Sequence, residues 1–262
     1  MYLPLLRGRQ YELLALRELL LNDRISDRII PIIEPVRFSS TLLSVIELFV
    51  KKERKIAIIA NPMVGEFQES LKNPKINKEK IKEFKELLRN DEIICAYYVD
   101  KTLDTSRFNL SRKNLLINTN RDLLDFELDL IEKINPEFIL VPEDRLFKKN
   151  IKENRILLDD YFNKQEKNSD YMDNDDEFFT DIISAYKEEK HIGFSDYSIV
   201  GMEFNEGGFS PKAVAIHIPY IVNDEVRVHH FVSNSNFDVN DPAGKFKEAL
   251  EKLINWDKSD LL

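Results

Sequence analysis

A chain of 262 residues, 43% hydrophobic and 32% charged, carries enough apolar material for a sizeable core and enough charge for exposed amphipathic helices. Its formal net charge of -9 excludes sequence-independent nucleic-acid binding through an overall basic surface, while leaving room for a local basic site. The single cysteine, Cys95, excludes an intramolecular disulfide framework and sits in an apolar run as a small core residue. No stretch approaches the roughly 18 to 20 apolar residues of a membrane span, and Met1 to Gln10 lacks the apolar region of a secretory leader, so a cytoplasmic protein is expected.

Taken in order, the chain alternates short apolar runs with helical patterns. Tyr2 to Leu6 reads as a strand ending at Arg7, and Tyr11 to Leu21 as a helix. Arg28 to Val36 holds an unbroken apolar run ending at Glu34, the pattern of a strand buried on both faces. Ser39 to Thr41 then caps a helix from Leu42 to Lys52. Lys55 to Asn61 is a third strand, followed after Pro62 and Gly65 by a helix from Asn77 to Leu88. The runs Ile93 to Val99, Leu115 to Ile117, Phe138 to Val141, Arg155 to Leu158 and His191 to Phe194 bring the count of strands to eight. The helix Asp122 to Ile134 has amphipathic leucine spacing, whereas Lys101 to Lys113 and Arg145 to Asn154 are poorly patterned. Residues 163–176 read as a mobile acidic loop before a helix from Phe178 to Lys187.

Eight strand units predict an α/β fold, a single (β/α)8 TIM-barrel-like domain over residues 1–262, a size ordinary for that fold. Ala213 to Val222 and Glu225 to Phe231, around Asn223-Asp224, predict a β-hairpin at residues 213–232 inserted after the eighth strand. A two-residue turn there sets His217 opposite His230. The helix Pro242 to Trp256 would be the eighth helix of the barrel.

In a barrel the strand C-termini share one rim, and that rim carries function. Alternation along the strands points Glu34, Asp100 and Glu143 to a common mouth, and these with Asp196, which helps to complete the ring, are the candidate catalytic carboxylates. Arg7, Asn61, Asn118 and one of Asp159 and Asp160 complete the ring. Arg9, Arg37, Lys101, Arg107, Arg121 and Arg145 follow the strand ends, a local reversal of the acidic charge. They either neutralise the carboxylates or hold an anionic ligand, such as a phosphate ester or a nucleic-acid end, with Arg7, Arg9, Arg37, Asn61, Asn118 and Tyr197 as binding residues. The rim carboxylates suit a divalent cation, magnesium or manganese. His217 and His230 are candidate ligands for zinc or manganese, Asp196 or Glu143 supplying an oxygen. No P-loop, dinucleotide fingerprint, HExxH or GxSxG element is present, and Gly207-Gly208 reads only as a flexible pair.

The stretches Arg7-Gly8-Arg9-Gln10-Tyr11-Glu12-Leu13, Pro31-Ile32-Ile33-Glu34-Pro35, Asn61-Pro62 with Gly65, and Ser195-Asp196-Tyr197 resemble the phage-type beta family proteins. The similarity is strongest to a shorter bacterial branch encoded on mobile elements beside a predicted nuclease. Members of the family continue past a Lys-Phe-x-Glu-Ala-Leu helix, here Lys245 to Leu250, into a further tail. The resemblance implies a setting of phage defence and mobile-element conflict, and a companion protein as partner. Two functions follow as expectations: a non-enzymatic component that binds its partner and an anionic ligand, or a metal-dependent hydrolase of phosphate esters or nucleic acid.

Overall fold

The computed structural model describes residues 1–73, 76–103, 108, 112–205 and 210–260. Within them the chain packs as two compact units, Met1–Asp159 with Tyr186–Ser198, and Asp160–Ala185 with Ile199–Leu262.

The first unit is a nearly closed eight-stranded parallel barrel alternating with helices. Its strands, in chain order, are β1 (Leu5–Leu6), β2 (Ile32–Ile33), β3 (Ile56–Ile59), β4 (Ile93–Tyr98), β5 (Asn114–Ile117), β6 (Phe138–Val141) and β7 (Arg155–Asp159), each paired with the next. After β8 (Asp176–Thr180), which belongs to the second unit, β9 (Gly193–Asp196) pairs with β7 as the eighth barrel strand. The seam is narrow: Tyr2 bridges Phe194, with Leu3 N donating to Phe194 O at 2.9 Å and Phe194 N to Met1 O at 3.0 Å. Gly193 is glycine for this reason, since a Cβ there would lie 2.6 Å from the Met1 carbonyl oxygen.

Two-sided burial explains the apolar runs. Leu3, Leu5, Ile30, Ile32, Ala57, Ile59, Ile94, Ala96, Leu115, Ile117, Phe138, Leu140, Ile156 and Leu158 fill the barrel interior. Their neighbours Ile33, Ile56, Ile58 and Ile93 face the helices α1 (Gln10–Leu21), α2 (Ser40–Lys51) and α4 (Lys78–Leu87), which follows the short α3 (Phe67–Lys72). Ser39 caps α2 by accepting from Leu42 N at 3.1 Å, as its residue type predicts. Farther round, α5 (Leu124–Ile134) and α6 (Arg145–Asn150) cover the outer faces of β5 and β6. The poorly patterned segment after β6 is thus a short helix, nucleated by Asp144, whose carboxylate accepts from Leu146 N at 2.7 Å. Cys95 is half-buried on the outer side of β4, and burial raises its thiol pKa, as for an inert core thiol. No described helix is long and apolar enough to cross a membrane.

The second unit is a three-stranded antiparallel sheet in the order β10 (Ala215–Val222), β11 (Glu225–Val232), β8. The hairpin register is the predicted one, with Val222 opposite Glu225, Tyr220 opposite Arg227 and His217 opposite His230. Asn223 and Asp224 have φ of 50° and 66°, the left-handed pair of a two-residue hairpin turn. Two expectations change here. Residues 176–180 form a strand instead of continuing into a helix, because β11 offers its second edge to β8 and the helix α7 starts only at Ile182 (Ile182–Glu188). The last helix, α8 (Pro242–Asp260), packs on β10 and β11 through Trp256, whose ring stacks on His229 at 5.2 Å and meets Phe231 at 5.5 Å.

Gly65, at φ +74°, lets the β3–α3 loop pass against Val36, where a Cβ would lie 2.4 Å from the Val36 carbonyl oxygen. Gly65→Ala is expected to lower stability by more than about 1 kcal/mol, read as a lower denaturation midpoint, because the strained φ and the backbone contact add.

Candidate functional site

Glu34 emerges from β2 into the barrel mouth with no solvent exposure and its charge compensated on several sides. Its Oε2 accepts from the Arg7 guanidinium and, at 2.8 Å, from the Tyr98 hydroxyl, while Oε1 accepts from the Met63 amide at 2.7 Å. Arg7 is itself buried, its guanidinium carbon 5.3 Å from the centre of the Tyr197 ring. A buried charge pair repays its desolvation only when such extra hydrogen bonds are in place. Tyr98 is held protonated, its pKa raised first by burial and then by the Glu34 charge.

Local sequence sets these positions. Gly8, at φ +60°, turns the chain between β1 and α1, and Glu12 closes the turn by accepting from Arg9 N at 2.8 Å and Arg7 N at 3.4 Å. Asn61 extends the β3–β4 ladder with its side chain, donating to Tyr98 O and accepting from Tyr98 N, both at 2.9 Å. Beside this centre opens a cavity of about 460 Å³ lined by Ala60, Asn61, Met63, Tyr98, Asp100 and Thr102, among others. Two of its walls, Met63 and Tyr98, are also partners of Glu34. Asp100 is exposed there, and its carboxylate accepts from Thr102 N and Oγ1, both at 2.6 Å, which lowers its pKa.

The four carboxylates do not converge. Val141 packs outward against α6, so Glu143 leaves the barrel on that side and pairs with Lys148. Asp196 is also off the mouth, accepting from the Tyr2 hydroxyl at 2.8 Å and Ser198 N at 2.9 Å. Tyr2 stacks on Phe194, and this contact and the Asp196 bond put all three on the face opposite Leu3 and Tyr197. Asn118 likewise turns outward and donates to Glu127 of α5 at 2.8 Å. Asp160 accepts from Met202 N at 2.7 Å within the second unit. Of the rim cations, Arg121 pairs with Asp144, Arg9, Arg37, Lys101 and Arg145 are exposed, and Arg107 lies outside the described residues, as does the pair Gly207-Gly208.

Two clusters carry metal-ligating side chains close together. Glu143, Glu189 and His191 bring ligand-type atoms within 4.8 Å of one another. The Lys148 ammonium binds both carboxylates. Arg155 Nε donates to His191 Nδ1 at 3.2 Å, so the imidazole proton is on Nε2, 3.8 Å from Glu189, and that nitrogen has no lone pair for a cation. His191 is kept neutral, its pKa pushed down to about 4 by burial and then by Arg155. His217 and His230 meet Nδ1 to Nδ1 at 2.6 Å. Two nitrogens of one tetrahedral zinc stand about 3.3 Å apart, so the pair shares a hydrogen bond and is not spaced as two ligands. Tyr171 and Phe162 enclose it, and Glu177 lies 3.3 Å from His230 Nε2. Comparison with family models, with curated proteins and with solved structures finds no match.

Strand alternation in the sequence turns Tyr98 inward with Asp100 but gives it no role, and Glu127 is not singled out at all. Glu127 had no such signal, being one acidic residue on an amphipathic helix. It is fully buried, has one oxygen without a hydrogen-bond partner, and burial pushes its pKa up to about 8.

Glu34→Ala is expected to lose about 3–5 kcal/mol by leaving Arg7 buried and unpaired, and Tyr98→Phe about 1.5–3 kcal/mol, both read by chemical denaturation. The raised Glu127 pKa means that the folded state holds a proton the unfolded chain releases between about pH 4.5 and 8. The Glu127 contribution therefore falls across that window by up to about 1.4 kcal/mol per pH unit. Glu127→Gln should remove that slope and be more stable than the parent at pH 8, with little difference at pH 4.

Proposed function

We propose that the protein is a ligand-binding component of a bacterial phage-defence or mobile-element conflict system. On this reading its barrel mouth takes an anionic, phosphate-bearing ligand or nucleic-acid end, and it works with a companion protein. The defence setting and the companion rest on the sequence resemblance. The binding mode rests on one observation: the cavity at the ends of β3 and β4 shares Tyr98 and Met63 with the buried Arg7–Glu34 pair. This is the rim at which barrels of this fold carry their sites. A saturated Glu34 is a rigid wall more than a reagent, since its oxygens are committed to Arg7, Tyr98 and the Met63 amide. Lys101 adjoins the lining residue Asp100 in sequence, and exposed Arg37 follows Val36, against which the Gly65 loop packs. Cations on flexible stems beside a fixed cavity suit phosphate oxygens.

Binding is favoured over metal-assisted hydrolysis because Glu143 and Asp196 lie off the mouth and both Glu34 oxygens are already committed, which leaves Asp100 alone at the cavity, whereas that chemistry needs several carboxylates on one ion. Calorimetry of the full chain with nucleoside triphosphates and a 5′-phosphorylated oligonucleotide should give a saturable heat. Arg37→Ala with Lys101→Ala is expected to weaken it at least about tenfold, a loss of about 1.4 kcal/mol. Equal affinity in parent and double variant would remove the assignment. Manganese-dependent turnover of a phosphodiester, lost in Glu34→Gln, would put hydrolysis in its place.

A further inference from the structure

In the second unit the chain between β11 and α8 builds an exposed phenylalanine on a fixed loop. Phe237 is 92% exposed and Val239 48%. An apolar tip of this kind usually belongs to a mobile loop, yet this loop is tied down along its length. Glu248 of α8 accepts from Asn234 N at 2.7 Å, from Ser235 N at 2.9 Å and from Ser235 Oγ at 2.5 Å. Asn236 donates to Ser233 O at 2.6 Å, and the buried Lys245 donates to Asp238 O at 2.5 Å. Bonds on both sides of residue 237 fix the backbone that presents its exposed ring, so the backbone part of the ordering cost that usually opposes binding has already been met in folding.

Beside the finger lies a cavity of about 230 Å³, walled by Met172, His229, Phe231, Lys252 and Trp256 among others. Asn236 Nδ2 is 3.7 Å from Met172 Sδ, so finger and cavity are neighbours on one face of the unit. A face that carries both a projection and a hollow is self-complementary under a two-fold axis, the symmetry of most soluble dimers. The hollow is large enough for a phenyl ring, since an apolar cavity of about 150 Å³ accepts benzene. Charge does not oppose the fit, because Asp238 follows Phe237 on the finger and the cavity wall carries Lys252 as well as Asp175.

We propose that a second copy of this chain docks on this face, the Phe237 ring of each copy entering the cavity walled by Met172 and Trp256 of the other. The inference is independent of the ligand reading of the barrel mouth. Trp256 is the only tryptophan in the chain, so its fluorescence reports on the cavity alone. Sedimentation velocity of the full chain should show a dimer that dissociates on dilution. Acrylamide quenching of Trp256 should rise several-fold over the same dilution. Phe237→Ser, at a position too exposed to matter for folding, should be monomeric and highly quenched at every concentration. Met172→Glu, which charges the cavity wall and leaves the finger intact, should behave alike. A parent chain that stays monomeric up to millimolar concentration overturns the proposal, even if Phe237 then proves to be needed by a different protein. So does a dimer that Phe237→Ser leaves intact.

Discussion

The fixed point of the barrel mouth is the compensation of one carboxylate. Glu34 has no access to water, and an isolated ion there would cost many kcal/mol. The Arg7 guanidinium, the Tyr98 hydroxyl and the Met63 amide offset that cost, and each comes from a different strand or loop. The ends of β1, β2 and β4 and the loop after β3 are therefore locked to a single atom group. Further features of the barrel serve the same end: Glu12 closes the turn that presents Arg7, Gly65 lets the Met63 loop descend, and Asn61 fixes Tyr98 by its backbone. Removing the carboxylate would release all of them at once. A mouth rigid at this corner leaves the neighbouring cavity as the place where a ligand meets preformed walls.

The barrel was legible in the sequence because parallel strands covered on both faces leave uninterrupted apolar runs. That same property hid the directions of their side chains. For β6, Phe138 and Leu140 face the interior while Ile139 and Val141 face α5 and α6, and nothing in Phe-Ile-Leu-Val marks which is which. An assignment one residue out of step placed Glu143 in the mouth, when it belongs with Lys148 outside. Where polar partners broke the symmetry, as at Arg7 and Glu34, the direction followed correctly. Asn118 and Asp196 show the remaining limit, since a polar residue ending a strand marks the rim but not whether it serves the interior or the flanking layer.

In the second unit the turn residues determined the hairpin, and the third strand was invisible because β8 is defined by pairing with β11, far along the chain. Local composition there is acidic at Asp175 to Glu177 and aromatic at Phe178 and Phe179, compatible with either helix or strand, and tertiary pairing decides. Pro219 marks how the sheet is bounded. Counting from the Val222–Glu225 pair that closes the turn, Pro219 and Val228 form a non-hydrogen-bonded pair, so an N–H at residue 219 would point away from β11. Proline removes that donor from the outer edge of β10, a guard against further strand addition. An apolar surface that this unit does offer, away from the β10 edge, is the finger and cavity beside α8.

The same count makes His217 and His230 a non-hydrogen-bonded pair, the class with the closest side chains, which is why their rings meet in an aromatic enclosure. Burial lowers both pKa values, that of His217 to about 4 with the His230 ring adding to the fall, and that of His230 against an opposing pull from Glu177. A histidine with a depressed folded pKa gives stability that is present above its unfolded value and is lost as pH falls toward the folded one, here from about 6.5 to 4. His191 acts in the same sense within the barrel, whereas Glu127 acts in the opposite sense from about pH 4.5 to 8. Between pH 4.5 and 6.5 these two terms oppose each other in the barrel while the histidine pair acts unopposed by them in the sheet unit. Of these four groups, only the two histidines of the sheet unit lose their contribution in that range with none of the others opposing them in the same unit. Above pH 6.5 the histidine terms are complete, and the loss that remains, up to pH 8, falls on the barrel through one buried glutamate.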